Sequence, residues 1–422
     1  MSRTTPRPPS AVRWIVGTLE DAGHPTWAVG GAVRDALAGH PSGDWDLTTR
    51  ARPKQVQRLF RRTVPIGIEH GTVGVLAGDG TLYEVTTFRR DVETDGRHAV
   101  VAFADTVEED LARRDFTINA VAWHPLRGEF RDPHRGARDM KRRLLRTVGD
   151  PKERFAEDHL RILRALRFAS RFELRVDGGS WEALRAAVGH LPELSAERIR
   201  DELLKVLDAD PRPSEALELY ARSGALQVLY PELEALRNGA GWGATLARVD
   251  ALPPGRPLLR LAGLVRNLAG EDAAALLVRL RLSNAQTDAV AVRAGASPPP
   301  AASAPDAEQR RWLASVGRDH WRWAMRLALA DARVEETGEE AVASWRRLRG
   351  ILADDPPLQV GDLAISGRDL IRMGLKPGPW FGEILDRLLD GVLEDPDANR
   401  AGRLREQAEA LAEGWPDREK TG

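Results

Sequence analysis

The chain has no cysteine among its 422 residues. That excludes disulfides and thiolate metal sites, and it fits a reducing compartment such as the cytoplasm. It has no apolar run of the length a membrane span needs, and its opening residues, MSRTTPRPPSAVRW, lack the apolar core of a signal peptide. A cytoplasmic location with no membrane partner is expected. A strong charge of one sign is also missing: 62 Lys and Arg stand against 63 Asp and Glu, a net charge of −1. Nucleic-acid binding would have to come from local patches, because the global field is weak. There is no regular internal repeat. None of the nine histidines is followed by aspartate, which leaves out an appended His-Asp metal phosphohydrolase domain.

What is present changes along the chain. The length exceeds what one core usually holds, so two or three domains are expected. From about Trp27 to Val148, short β-like runs alternate with glycine turns. TWAVG reads as a strand and AVRDALAG as a short helix closed by Gly39. DWDLTT reads as a strand leading into an amphipathic helix, KQVQRLFRR. GTVGVLAGDGTLYEVTTF reads as two strands joined at Asp79-Gly80. After Gly149 the pattern is helical, beginning with PKERFAEDHLRILRALRFASRF, which has proline in its first turn. Gly295 to Pro305, GASPPPAASAP, is the best linker or loop candidate. The reading is α+β: a small mixed sheet in a head, followed by an all-helical body.

Three clusters carry possible chemistry. In VGGAVRDALAGHPSGDWDLTT, strand alternation places Asp44 and Asp46 on one side and Trp45 on the other. Two such carboxylates suit a pair of divalent cations about 3.5–4 Å apart in phosphoryl transfer, with magnesium the natural guest. Taken alone, D-x-D more often marks a solvated turn or edge. Gly30 and Gly31, followed by a helix N-terminus, would let backbone N–H groups approach a triphosphate. Arg34 could add charge there or pair with Asp35. Glu84 could face the same site from a neighbouring strand, or pair with an arginine. In EEDLARRDFTINAVAW, the group Arg113, Arg114, Asp115, Thr117 and Asn119 reads as a site or as a solvated helix end. In EDHLR, helical spacing puts Glu157, Asp158 and Arg161 on one side, as a binding pair or an intrahelical ion pair.

The ordered set GG-x-VRD, D-x-D, RRDFTINA and ED-x-LR-x-LRA-x-RF resembles the class II tRNA nucleotidyltransferase and poly(A) polymerase family. TDGRHAVVAF resembles that family's flexible loop, and SAERIRDELLKVL its later helical motif. The likeness is strong over the first half and looser beyond, where ISGRDLIRMGLKPGP is the best piece. It implies a polymerase β-type nucleotidyltransferase head over residues 1–148, a helical neck over 149–215, and a helical body and tail over 216–422.

The resemblance also implies roles. Asp44 and Asp46, with Glu84, would form the catalytic centre, the two aspartates holding two Mg2+ ions. Gly30, Gly31 and Arg34 would hold the triphosphate; Arg114, Asp115 and Asn119 the sugar. Asp158 and Arg161 would read the base, with Arg113, Arg164 and Arg167 as further nucleotide or RNA contacts. The base-reading role has a physical basis. Cytosine and adenine both present an amino donor beside a ring-nitrogen acceptor, which a carboxylate and a guanidinium match. The implied activity is addition of C, C and A to the 3′ end of tRNA from CTP and ATP, with tRNA as partner and no protein partner inferred. Poly(A) polymerase, CC-only, A-only and catalytically silent RNA-binding relatives are the alternatives. The mixed-charge C-terminus and the complete loop RRDVETDGRHAVVAF argue against the first two, and the intact Asp44, Asp46 and RRDFT against the silent one. The loop is expected to move between C and A addition.

Overall fold

Short alternating runs bounded by glycine lay down the first sheet. In a computed structural model that describes residues 6–41, 43–94, 99–209, 211–239 and 241–413, the chain divides into two compact units, Met1–Glu234 and Ala235–Gly422.

The first unit contains strands β1 (Thr26–Val29), β2 (Asp46–Thr49), β3 (Thr63–Gly67), β4 (Thr72–Leu76), β5 (Leu82–Thr87), β6 (Arg89–Thr94), β7 (Ala99–Phe103), β8 (Ala122–Trp123), β9 (Phe130–Arg131), β10 (Leu144–Leu145) and β11 (Arg175–Val176). Seven form one sheet in the order β3-β4-β5-β2-β1-β8-β9. It is mixed, because β2 and β5 run parallel while their neighbours pair antiparallel. The unit's helices include α1 (Ser10–Asp21), α2 (Gly31–Ala38), α3 (Pro53–Leu59), α4 (Val107–Ala112), α5 (Gly136–Lys141), α6 (Pro151–Glu157), α7 (Leu160–Arg171), α8 (Gly178–Ala187) and α9 (Ala196–Ala209).

Two apolar clusters fix the sheet. Val12, Ile15, Val16 and Leu19 of α1 join Leu47, Val73, Val75 and Val85 in one. Trp27, Val29, Phe88, Leu111, Ala120 and Val148 make the other. The turn residues behave as the sequence suggests: Gly39 closes α2 in the left-handed region at φ 83°, and Gly80 has φ 80° between antiparallel β4 and β5.

Two local expectations need correcting. The strand carrying the aspartates starts at Asp46, so Asp44 lies in the segment before it. The stretch 151–171 is two helices: Asp158, with φ −156° and ψ 106°, is extended and ends α6, and α7 begins at Leu160. The RRDVETDGRHAVV stretch forms an antiparallel hairpin of β6 and β7, whose tip, residues 95–98, lies outside the described residues.

In the second unit, helices and short 3-10 turns are the only regular elements among the described residues. One core gathers Trp312, Leu313, Trp321, Met325 and Leu348. Another gathers Ile365, Leu370, Ile384, Leu388 and Leu404. Residues 296–305 form a loop tied down from outside: Ser344 Oγ donates to the Pro300 carbonyl at 2.8 Å and Trp312 Nε1 to that of Ser297 at 3.0 Å. No described helix is long and apolar enough to cross a membrane.

Candidate active site

The site begins where β1 ends. Gly30 has φ 70° and ψ −132° and is the residue before α2. A Cβ there would lie 2.8 Å from Asp46 Oδ2, so only glycine lets this backbone pass the carboxylate. Asp46 opens β2, paired with Val29. The next residue, Leu47, pairs in parallel with Val85, which sets Glu84 beside Asp46. Burial, then Asp44 and, more weakly, Glu84, push the Asp46 carboxyl up to about 6, while Arg114 and Arg34 pull the other way. Glu84 is exposed and pairs with no arginine among the described residues. The ion-pair alternative that its sequence position allowed is therefore not realised, and its charge adds to the negative cluster.

Opposite this cluster the arginines are organised by carboxylates of their own. Asp110 on α4 is wholly buried. Its Oδ1 accepts from Arg113 and its Oδ2 from Arg114 at 3.1 Å, and these arginines hold its carboxyl below the ordinary range despite burial. Arg34 is buried. Its Nε and Nη2 donate to Asp35 Oδ1 at 2.8 and 2.6 Å, and Nη1 donates to Asn119 Oδ1 at 3.1 Å. The pairing with Asp35 that the sequence left open is thus present, together with packing against the Phe168 and Phe172 rings.

Asp115 accepts from Phe116 N, Asn119 Nδ2 and Arg164 Nε, each at 2.8–2.9 Å, and Arg164 Nη2 lies 2.7 Å from its Oδ2. Burial would raise its carboxyl. Arg164 foremost, with Asn119 and the Phe116 N–H, brings it down to about 2.

The break between α6 and α7 holds the remaining pair. Arg161 Nη1 donates to Glu157 Oε2 at 2.5 Å and to the Arg154 carbonyl at 3.1 Å, and Nη2 donates to the Arg113 carbonyl at 3.3 Å. Asp158 does not pair with Arg161. Its oxygens accept from Arg198 Nη2 at 3.0 and 2.8 Å, and Oδ1 also caps Leu160 N at 3.1 Å. Arg167 reaches away to Glu202 at 2.7 Å, and Arg171 to Asp35 at 3.3 Å.

Several supporting residues escaped sequence reading. Asp110 carried a signal, since it stands three and four residues before Arg113 and Arg114. Gly136 is plainer in space than in sequence: a Cβ there would meet the Thr117 carbonyl oxygen at 1.8 Å. Asp132 accepts from the Gly136 and Ala137 N–H groups, and Asp139 from the Thr117 hydroxyl at 2.7 Å. Together they clamp the turn that carries Asn119. Arg198 and Glu202 come from α9, too distant in sequence to be assigned partners.

His159, His190 and Glu193 are the only described group of three or more His, Asp or Glu side chains with ligand atoms within 4.8 Å of one another. The two imidazoles are stacked, with ring planes 13° apart and centroids 5.0 Å apart. Their in-plane lone pairs therefore do not converge on a common point.

Residues 26–146 match the family profile described as "Poly A polymerase head domain". Residues 173–236 match "Probable RNA and SrmB- binding site of polymerase A", and residues 262–408 a tRNA nucleotidyltransferase domain 2 profile. The chain is 37% identical over 401 residues to the CCA-adding enzyme of Geobacillus kaustophilus (strain HTA426), covering 92% of this chain and 94% of that one. It is 34% identical over 400 residues to that of Geobacillus stearothermophilus, with the same shares covered. Among solved structures, it is similar to the Bacillus stearothermophilus CCA-adding enzyme in complex with CTP, at TM-score 0.77 and 32% identity over 96% of this chain and 98% of that one. The Thermotoga maritima CCA-adding enzyme complexed with tRNA shares the fold at TM-score 0.60 and 22% identity, over 94% of each chain. With a carboxylate-lined glycine turn and these relatives along nearly its whole length, the chain belongs to the CCA-adding enzyme family of class II tRNA nucleotidyltransferases.

Proposed function

We propose that this protein adds C, C and A to the 3′ end of tRNA from CTP and ATP, releasing pyrophosphate, by a two-metal nucleotidyl transfer in the cytoplasm. One observation carries the chemistry: Asp46 lies beside Asp44 and Glu84 and against the Gly30 backbone, and burial together with these negative neighbours lifts its carboxyl to about 6. An all-oxygen, cation-deficient cluster is what a hard divalent ion takes. Membership of a nucleotidyltransferase family supports divalent-metal use; magnesium and two ions are the finer part of the proposal.

Asp44 and Asp46 would hold the ions, with Glu84 alongside. Bound magnesium lowers the pKa of an attacking hydroxyl and neutralises charge on the leaving phosphates. Gly30 and Gly31 leave backbone N–H groups open to a triphosphate at the start of α2, and Arg34, held by Asp35 and Asn119, adds positive charge behind them. Arg114 is braced by Asp110 and lies near Gly30, between the phosphate and sugar positions. Asp115 meets the sugar only by exchanging a bond, since its four acceptor positions are already engaged.

Asp158 retains one free acceptor position on Oδ2, enough for the amino group of cytosine or adenine. Arg161 retains its Nε–H and one Nη2–H, enough for the ring nitrogen. Uracil and guanine would place a carbonyl and a ring N–H against these groups, at about 1–3 kcal/mol per unsatisfied group. On this reading residues 1–148 supply the chemistry, 149–215 base selection and 216–422 tRNA binding.

The test uses purified protein, tRNAs ending one, two or three nucleotides short, and each labelled NTP in turn. Stepwise restoration of CCA with CTP and ATP, and none with UTP or GTP, is expected. Long A tracts, or addition that halts after CC, would replace this reading with one of the alternatives.

A further inference from the structure

Trp323 in the second unit is ringed by cations. The guanidinium carbons of Arg256, Arg293 and Arg326 lie 5.4, 5.7 and 5.6 Å from its ring centroid, and Arg322 lies 5.7 Å from the neighbouring Trp321 ring. These arginines come from three separate places: the segment before the helix Pro257–Val265, the helix Asn284–Gly295, and the helix Trp321–Val334. Arg256 and Arg326 are exposed. None of the three pairs with a carboxylate among the described residues, although arginines elsewhere in the unit do. Burial pushes the Arg293 guanidinium pKa down, and its Nε is buried without a partner. Three like charges are thus gathered on one indole with no described counterion.

We infer that Arg256, Arg293 and Arg326, mounted on Trp323, form a phosphate-binding site for the backbone of the tRNA substrate. This rests on the proposed tRNA activity and names where the second unit grips that substrate. Cation–π contact holds each guanidinium in place, which lowers the entropy cost of binding. The indole faces are covered by cations, so the cluster offers N–H donors to phosphates rather than a ring for a base to stack on. Double-stranded RNA is read mostly through its backbone, and guanidinium is the group best matched to phosphate oxygens. In a chain of net charge −1, such a local concentration is the kind of feature from which RNA affinity must come.

The test compares wild-type protein with the Arg256→Gln/Arg293→Gln/Arg326→Gln triple variant, using tRNA binding at several salt concentrations. Removing one arginine–phosphate pair should reduce the slope of log K against log salt by about 1, so a reduction of roughly 2–3 is expected. Affinity should fall about tenfold or more near 0.1 M salt. The KM for CTP, measured at saturating tRNA, should be unchanged. If half-buried Arg293→Gln disturbs the melting temperature, the Arg256→Gln/Arg326→Gln double variant carries the test, with a slope reduction of about 1–2. An unchanged slope and tRNA affinity would overturn the inference, and so would weakened heparin binding with tRNA binding intact. Wild-type protein that adds no C or A to any tRNA would instead overturn the functional reading on which the inference stands.

Discussion

Two carboxylates of the first unit, Asp46 half-buried and Asp115 buried, sit in opposite states. Asp46 faces Asp44 and Glu84, and its carboxyl is lifted to about 6. Asp115 faces Arg164, Asn119 and a backbone N–H, and its carboxyl is brought down to about 2. Burial pushes both carboxyls upward, so burial alone does not separate them. The difference is the supply of positive charge. Where cations of the chain already neutralise the acid, it braces the structure. Where they do not, the fold holds repulsion that a ligand from outside can relieve. Asp110 belongs with Asp115, being wholly buried and engaged by two arginines.

The sharpest way to break this comparison is Asp46→Asn. Nucleotide addition should fall by roughly a thousandfold or more, because several kcal/mol of transition-state stabilisation go with the missing charge. The melting temperature in metal-free buffer should hold or rise, since repulsion is removed. Single-turnover rates and a thermal melt check both. A near-normal rate removes Asp46 from catalysis, and a large fall in melting temperature moves it into the structural class.

Asp110→Ala should do the reverse. It leaves Arg113 and Arg114 without their shared acid, and breaking a buried pair costs about 3–5 kcal/mol; both arginines are partly exposed, so the lower end is expected. Urea denaturation would register the change. A difference below about 1 kcal/mol would mean that these arginines find water as readily as they found Asp110.

Gly136→Ala probes the same bracing through sterics alone. The new methyl would sit 1.8 Å from the Thr117 carbonyl oxygen, and the backbone must shift. Stability should fall by about 2–3 kcal/mol, with a higher KM for CTP because Asn119 moves with that turn. Wild-type stability would show that the turn relaxes freely.

How much of this the sequence disclosed depended on the range of each interaction. Periodicity and turn chemistry are local, and they disclosed the mixed sheet, the Gly39 and Gly80 turns and the helical remainder. The acidic cluster was legible because Asp44, Asp46 and the two glycines lie within one short stretch. The bracing partners were not: Arg198 for Asp158, Glu202 for Arg167 and Gly136 for Thr117 are joined only by folding. Helical spacing also misled at Asp158. The 151–171 pattern reads as one helix, yet Asp158 is extended and turns its carboxylate to α9. The capping bond from Leu160 N to Asp158 Oδ1 is the kind of local competition that lets aspartate interrupt a helix.

Asp115 supplies a pH test of the satisfied class. Its folded pKa of about 2 lies below the ordinary 3.8, so the folded state binds its proton less readily than the unfolded chain does. The stability it contributes is full above pH 3.8 and is lost as pH falls through 3.8 toward 2, about 2 kcal/mol in all. Asp115→Asn should lack that dependence. Urea midpoints at pH 5 and pH 2.5 compare the two, and parallel acid dependence in both proteins would show that Asp115 is not so strongly held.

The smallest expected effect belongs to the carboxylate between the two classes. Asp158 has three of its four acceptor positions filled, by Leu160 N and by Arg198 twice. It is braced, yet one position on Oδ2 is open. If that opening reads the amino group of the incoming base, Asp158→Ala should slow C and A addition and raise U and G incorporation relative to them. The preference should shrink about tenfold, the worth of one hydrogen bond of ~1.4 kcal/mol. Arg198→Ala should lower stability as well, since it strips the brace and leaves the acid in place. If Asp158 is only an ion-pair partner, both variants melt at a lower temperature and neither changes the preference ratio. Single-turnover rates with all four NTPs, run beside thermal melts of both variants, separate the outcomes. An unchanged ratio would place Asp158 with Asp110 and Asp115, and would leave base selection to Arg161 and its neighbours.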